Sequence, residues 1–320
     1  MNGGKITGKN ANRQFKLGLH SYTLHLSGCG ESWGFQNEGR TFAYEKVLTL
    51  EQLMDICVEE GIEVLHMTLV DLDNDTTPEH LAKVKEMAKE RGLDLELNIS
   101  LNAPSDPRVN ATISDALEFG HQMGAKLIKF STDVEHPRIL THSCMGPEAM
   151  EQMSKIVMEF KRNIPTIEKY GMKIAIENHC DLFADEVVWM VRELNHPLIG
   201  ACCDTVNSLM VGEGIAESVR IMAPYTYCVH FKDNKIYADP DGTHSVGAVI
   251  GEGSVDVQEI MNILREEAPE ELDTIDLEIE VPLSMYTLEE GRKVEFDAMR
   301  KSIKYMNEKL NVGINKKYGK

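Results

Sequence analysis

Three short apolar runs in this chain end in residues that buried packing would not select. MKIAIENHCD carries Glu177, IGACCDTVN carries Asp204 and YTYCVHFKDN carries His230, each about 26 residues from the next. A fourth run, TIDLEIEVP, brings Glu278 and Glu280. That interval suits one strand, one helix and their turns, so these residues fall at the ends of successive strands. Three carboxylates and one imidazole so placed form a ligand set for one divalent cation. Manganese suits them first, with magnesium, cobalt and zinc also compatible. Asp276, Glu278 and Glu280 share a strand face by the period of two. Such a face is costly unless it meets a cation or water. Glu278 is read as the ligand with Glu280 supporting it, or the reverse, and Asp276 as structural.

These positions need a scaffold, and the rest of the chain supplies one by repetition. Strands are expected over 15–24, 62–69, 93–100 and 125–132 before the three described above. Helices are expected over 78–91, 110–123, 147–170, 184–194, 214–222, 256–267 and 289–309, with a further one from Leu50 to a stop at Gly61. Strand–helix alternation implies a parallel sheet with crossover helices. Eight units in one chain favour a single closed (β/α)8 barrel, since an open sheet more often shows a glycine-rich phosphate turn after its first strand. The division expected is an N-terminal arm over 1–14, a barrel over 15–310 and a polar tail over 311–320. The stretch NKIYADPDGTHSVGAVIGEGS, before the helix at 256, reads as a long loop.

The formal charge of −19 excludes the basic footprint that nucleic-acid binding needs. No apolar run approaches the length of a membrane span, and the N-terminal stretch has no apolar signal core. The seven cysteines, several inside expected strands, read as thiols of a reducing, cytoplasmic compartment.

Around the ligand set lie further candidates. His179, two residues after Glu177, is either a general base or a capping histidine. His20 on the first strand and His244 in the seventh loop are candidate substrate contacts. Lys232 either binds a substrate oxygen or pairs with Asp233 or a glutamate of the last strand. Trp33 and Phe35, in a long loop after the first strand, either stack on a sugar or anchor the loop.

IAIENH, CCDTVN, VHFKD, the GEGSVD turn and LEIE, in that order, resemble the sugar phosphate isomerase/epimerase family of xylose-isomerase-like barrels. The resemblance spans nearly the whole chain. It implies that Glu177, Asp204, His230 and Glu278 bind one divalent metal, and that both glutamates move protons beside a substrate carbonyl. Ketose 3-epimerases of the family usually carry a histidine three residues after the metal aspartate, where this chain has Asn207, a candidate substrate contact. They also place an arginine a few residues beyond the metal histidine, where this chain has Lys232 and Lys235. The ENH and HFKD forms look more like members acting on keto-inositols or 3-keto-sugars. One such member is the catalytic subunit of C-glycoside deglycosidases, which breaks a 3-keto-C-glycoside by elimination.

The activity expected is metal-dependent proton abstraction beside the carbonyl of a sugar or keto-sugar, as an isomerase or epimerase. A lyase subunit working on a glycoside is the alternative. A DNA-repair endonuclease, which shares the barrel, would need more histidines at the strand ends and a basic face. A non-catalytic subunit would not need an intact ligand set. A homo-oligomer, or a hetero-oligomer with a smaller subunit, is the expected assembly.

Overall fold

The computed structural model describes residues 12–31, 44–103, 106–136, 144–240, 242–281 and 286–319. Trp33 and Phe35 lie outside them. Eight strands close a parallel barrel: β1 (Lys16–His20), β2 (Val64–Thr68), β3 (Asp94–Ser100), β4 (Leu127–Ser131), β5 (Lys173–Glu177), β6 (Ile199–Asp204), β7 (Thr226–Phe231) and β10 (Thr274–Leu277). Seven of them pair in sequence order, and β10 closes the ring between β7 and β1. The helices are α1 (Leu50–Glu60), α2 (Pro78–Arg91), α3 (Ile113–Met123), α4 (Pro147–Tyr170), α5 (Ala184–Leu194), α6 (Ile215–Met222), α7 (Val257–Glu267) and α8 (Leu288–Glu308). Several start where the sequence offers a cap. Thr49, Thr77, Thr112 and Thr287 each accept a backbone N–H from the first turn of the helix that follows.

Each barrel strand divides its side chains between two environments. Leu17, Leu19, Leu65, Met67, Leu97 and Ile99 join the apolar shell under the helices. The residues between them point inward, and there the usual branched aliphatic filling of such barrels is largely absent. One side of the interior holds a small cluster of Leu127, Ala175, Cys202 and Cys228. The other side is polar, with His66, Glu96 and Asp276 all buried. Gly18 makes this possible, because a β-carbon there would stand 1.8 Å from Asp276 Oδ1.

The structure departs from the sequence reading in four places. The first strand stops at His20, and Ser21–Ser27 turns as a 3-10 helix. The last strand stops at Leu277, so Glu278 and Glu280 lie just past its end. The stretch read as a long loop forms an antiparallel hairpin of β8 (Asp233–Asp239) and β9 (Gly242–Ala248). Its alternation was hidden by exposure of both faces, which leaves no apolar period to detect. The stretch called a polar tail is docked: Val312 is buried, Gly313 N–H donates to Phe15 O at 2.9 Å, and Lys317 reaches Glu60 at 2.7 Å. At the other end, the Arg13 guanidinium donates to the carbonyls of Ala268, Pro269 and Leu272, which ties the end of the expected arm to the barrel.

The GEGSVD segment is held by one side chain. Asp233 accepts from the N–H groups of Gly251, Gly253 and Val255, and a β-carbon at Gly253 would lie 2.0 Å from its Oδ1. This fixes the start of the hairpin immediately after Lys232.

On α8, Glu295 is buried and accepts from Leu26 N–H at 2.9 Å and the Ser27 hydroxyl at 2.5 Å. Burial outweighs these bonds and pushes its carboxyl up to about 7 from 4.5. The folded state therefore holds a proton that the unfolded chain releases between these two values. Wild type should lose stability relative to Glu295→Gln as pH rises through that window, and no further above it. Urea denaturation of both proteins at several pH values checks this expectation.

Candidate metal centre and active site

Glu177 closes β5, Asp204 closes β6 and His230 lies one residue before the end of β7, all at the C-terminal rim. Each offers one ligand atom within 4.8 Å of the others. Glu278, just past β10, brings Oε2 to 3.1 Å from His230 Nδ1, and Glu177 Oε1 lies 2.8 Å from the same nitrogen. All four are nearly inaccessible to solvent.

The surrounding groups divide the charge. Lys129, on β4, donates to Glu177 Oε2 at 2.6 Å, as does the Ser131 hydroxyl at 3.0 Å. Burial alone would raise the Glu177 carboxyl, but Lys129 and then His230 hold it well below the usual carboxylate range. Lys232 lies 2.8 Å from both Asp204 Oδ2 and Glu278 Oε1, bridging two carboxylates from different strands. Burial raises Asp204, with Lys232 opposing. Burial likewise pushes Glu278 up to about 8, against the pull of Lys232. His230 is driven down to about 3 by burial, with Glu177 opposing, so it is a neutral imidazole.

A divalent ion fits this set. Asp204 Oδ2 and Glu278 Oε2 are buried without a directed hydrogen bond, although each lies beside a cationic or imidazole group. Asp204 Oδ1 is turned away and accepts from Val206 and Asn207 N–H groups, which fixes the carboxylate. Three oxygens and a nitrogen converge as a hard-to-intermediate cation requires.

The family model for the xylose isomerase-like TIM barrel matches residues 55–308 of this chain. The chain belongs to that family. The Escherichia coli (strain K12) protein YihM is 24% identical over 252 residues, covering 78% of this chain and 68% of that protein. The IOLI protein solved with a zinc atom superposes with TM-score 0.60 at 15% identity, covering 91% of this chain and 99% of that one. D-psicose 3-epimerase with D-tagatose, from Clostridium cellulolyticum H10, gives TM-score 0.62 at 15% identity, covering 92% and 99%.

Within this xylose isomerase-like barrel, most of the candidates from the sequence line one cavity. His20, His179, Asn207, Lys232 and Glu280 line it together with three of the four candidate ligands, Glu177, His230 and Glu278. His20 accepts Tyr22 N–H at Nδ1, and its Nε2 lies 2.9 Å from the Asn98 amide. Glu280 accepts from the Tyr22 hydroxyl at 3.0 Å. Asn207 lines the cavity, and its Nδ2 is buried without a hydrogen-bond partner. His179 stands 3.7 Å from both Asp133 and Glu31. Burial would lower it, but Asp133, Glu177 and Glu31 raise it to about 10. These three carboxylates favour its charged form. Lys232 pairs with Asp204 and Glu278, and Asp233 is engaged by the glycine turn. His244 is not at the site: it is exposed on β9 and stacked on Tyr237.

Lys129, Asn98, Glu31 and Cys180 also line the cavity and were not singled out from the sequence. Lys129 left a signal, since LIKFS sets a lysine and a serine two apart inside an apolar strand. Glu31 and Cys180 lie beyond strand ends, where no period marks them.

The cavity at the candidate ligands measures about 30 Å³. Beside it opens a compartment of about 280 Å³ that shares Cys180, Asn207, Lys232 and Glu280. Its other wall is largely apolar, with Val206, Leu209, Met210, Val246 and Val281. A cavity of about 450 Å³ lies at the N-terminal ends of the strands, lined by Lys16, Asp94 and Glu96 among others. That end of such barrels serves stability rather than chemistry.

Proposed function

We propose that this chain is a divalent-metal-dependent enzyme that abstracts a proton beside the carbonyl of a sugar or keto-sugar, as an isomerase or epimerase. The observation that carries the reading is the convergence of Glu177, Asp204 and His230 within 4.8 Å, with Glu278 beside them, at four strand ends. The family supports it, as does the likeness in fold to a D-psicose 3-epimerase solved with a sugar. The IOLI structure holds zinc; for this chain manganese is proposed, on its oxygen-rich ligands.

Glu177, Asp204, His230 and Glu278 would hold the ion. When bound, it supplies Lewis-acid polarisation of a carbonyl oxygen and so acidifies the neighbouring C–H. Glu177 stays ionised because Lys129 and Ser131 hold its Oε2, while its Oε1 lies against His230 Nδ1. Glu278 would likewise be a carboxylate once it holds the ion. The two glutamates would then share the proton movement, one taking a proton from beside the carbonyl and the other returning one to the product. His179 donates to a substrate oxygen, and Asn207 offers its unpartnered amide nitrogen to another. A homo-oligomer is proposed, or an assembly with a smaller subunit, the latter on the acidic charge and the aromatic residues Trp33 and Phe35 that follow β1 in the sequence.

Elimination from a 3-keto-C-glycoside is the second reading, and the apolar compartment beside the ligands favours it. A free ketose has nothing to place against Leu209, Met210 and Val281, whereas a glycoside brings an aglycone. A panel of free ketoses, 2-keto-inositol and a 3-keto-C-glycoside, incubated with Mn²⁺ and followed by NMR, tests both. An epimer or ketose isomer supports the first reading, and release of an aglycone the second. Failure to turn over any of them would count against both.

Exposed apolar residues near the mouth provide a smaller test. Met210→Glu, half exposed on the apolar wall, should raise KM about tenfold for a glycoside with kcat little changed, since a lost apolar contact is worth about 1–3 kcal/mol. Steady-state kinetics on a glycoside and on a free sugar separate the two cases.

A further inference from the structure

Below the rim, the polar half of the barrel interior forms a second constellation that the proposed reaction does not use. His66 from β2, Glu96 from β3, Cys228 from β7 and Asp276 from β10 each bring one ligand atom within 4.8 Å of the others. None exceeds 6% exposure. We propose that these four residues bind a second divalent ion, of the zinc type, in the core of the barrel.

The separations fit a closed four-ligand site. His66 Nδ1 stands 3.1 Å from Glu96 Oε2 and 3.6 Å from Asp276 Oδ2. Cys228 Sγ lies 3.9 Å from His66 Nδ1 and 3.8 Å from Asp276 Oδ2. A tetrahedral ion about 2.0 Å from nitrogen and oxygen and about 2.3 Å from sulfur gives edges of roughly 3.3 and 3.5 Å. The observed edges match these to within about half an ångström, with the sulfur edges the longer ones, as they should be.

Hydrogen bonding alone does not account for the cluster. Glu96 Oε2 takes no directed hydrogen bond despite its 3.1 Å approach to His66, and Asp276 Oδ1 and His66 Nε2 are likewise buried without one. Buried polar atoms are almost always bonded, and Glu96 Oε2, the one of these three atoms that faces the proposed ion, lacks a partner that the ion would supply. The β-carbon that Gly18 lacks would fill the space taken by the Asp276 carboxylate. One thiolate, one imidazole and two carboxylates favour zinc over the oxygen-preferring ions of the rim. Binding releases the Cys228 thiol proton and any proton on His66 Nδ1, so the thiolate and the neutral imidazole face the ion. Glu96 also lines the cavity of about 450 Å³ at the strands' N-terminal ends, which brings solvent up to one edge of the cluster.

The test is a Co²⁺ titration of the full chain after chelator dialysis, followed by near-ultraviolet and visible absorption, with zinc stoichiometry measured by elemental analysis. Two equivalents per chain are expected, one of them giving a thiolate-to-cobalt charge-transfer band. Cys228→Ser should lose that band and one equivalent. Asp276→Asn, which keeps the side-chain shape, should lose the same equivalent and serves if the serine variant does not fold. Asp204→Asn should lose the other equivalent and keep the band, and Cys202→Ser should keep both. A wild-type protein without the band, or a band that survives Cys228→Ser or disappears with Cys202→Ser, overturns the proposal.

Discussion

Glu177→Gln is expected to remain folded and to lose turnover by about 10³-fold or more, in the upper range for removal of a positioned proton-transfer group. The variant keeps the shape but not the charge. Glu177 Oε2 lies between Lys129 and Ser131, and Oε1 faces His230. An amide can satisfy only part of this, because one of its ends donates where the site offers donors already. The same change removes one of three carboxylates from the proposed ion, so metal affinity should fall in parallel. Circular dichroism checks the fold, elemental analysis the metal, and substrate turnover the chemistry. A folded Glu177→Gln with full activity and full metal content would contradict the site assignment.

Lys129→Met should cost about 3–5 kcal/mol of stability, the usual result of stripping one partner from a buried ion pair. Both members are nearly inaccessible, at 1% and 2% side-chain exposure, and lie 2.6 Å apart. Methionine fills the volume, which isolates the charge effect. Without Lys129, burial dominates and the Glu177 carboxyl rises, so activity should require a higher pH than in wild type. A bound divalent ion would replace part of the lost positive charge. The stability gap between wild type and variant should therefore narrow on adding Mn²⁺ to chelator-treated protein, and thermal or urea denaturation measures both gaps. A gap that does not respond to the ion would separate Lys129 from the proposed metal centre.

The barrel and its rim were legible because period and spacing both survive in the sequence. Strand–helix alternation announces eight repeats, and the candidate ligand residues interrupt apolar runs at a regular interval. The interior below the rim was harder. His66 and Glu96 sit within strands whose outward faces are apolar, so each reads as a lone polar residue until four strands close around it. Asp276 was read as structural, and its buried carboxylate lies beside His66 inside the barrel. The hairpin of β8 and β9 escaped because its residues are mostly exposed. His179 shows a different limit. Its position beside Glu177 was visible, but the carboxylates of Asp133 and Glu31 that flank it come from distant loops. Lys232 was left between two roles, and only the fold brings Asp204 and Glu278 to either side of it.

Solvent proton exchange tests the central claim most directly. Chelator-treated protein, incubated in D2O with a keto-sugar and followed by NMR, should leave the hydrogens beside the carbonyl at the uncatalysed exchange rate. Adding Mn²⁺ should start deuterium uptake at one carbon, and the same addition to Glu177→Gln should not. Uptake that proceeds equally without the ion, or that persists in Glu177→Gln, would contradict a metal-dependent proton abstraction at this site.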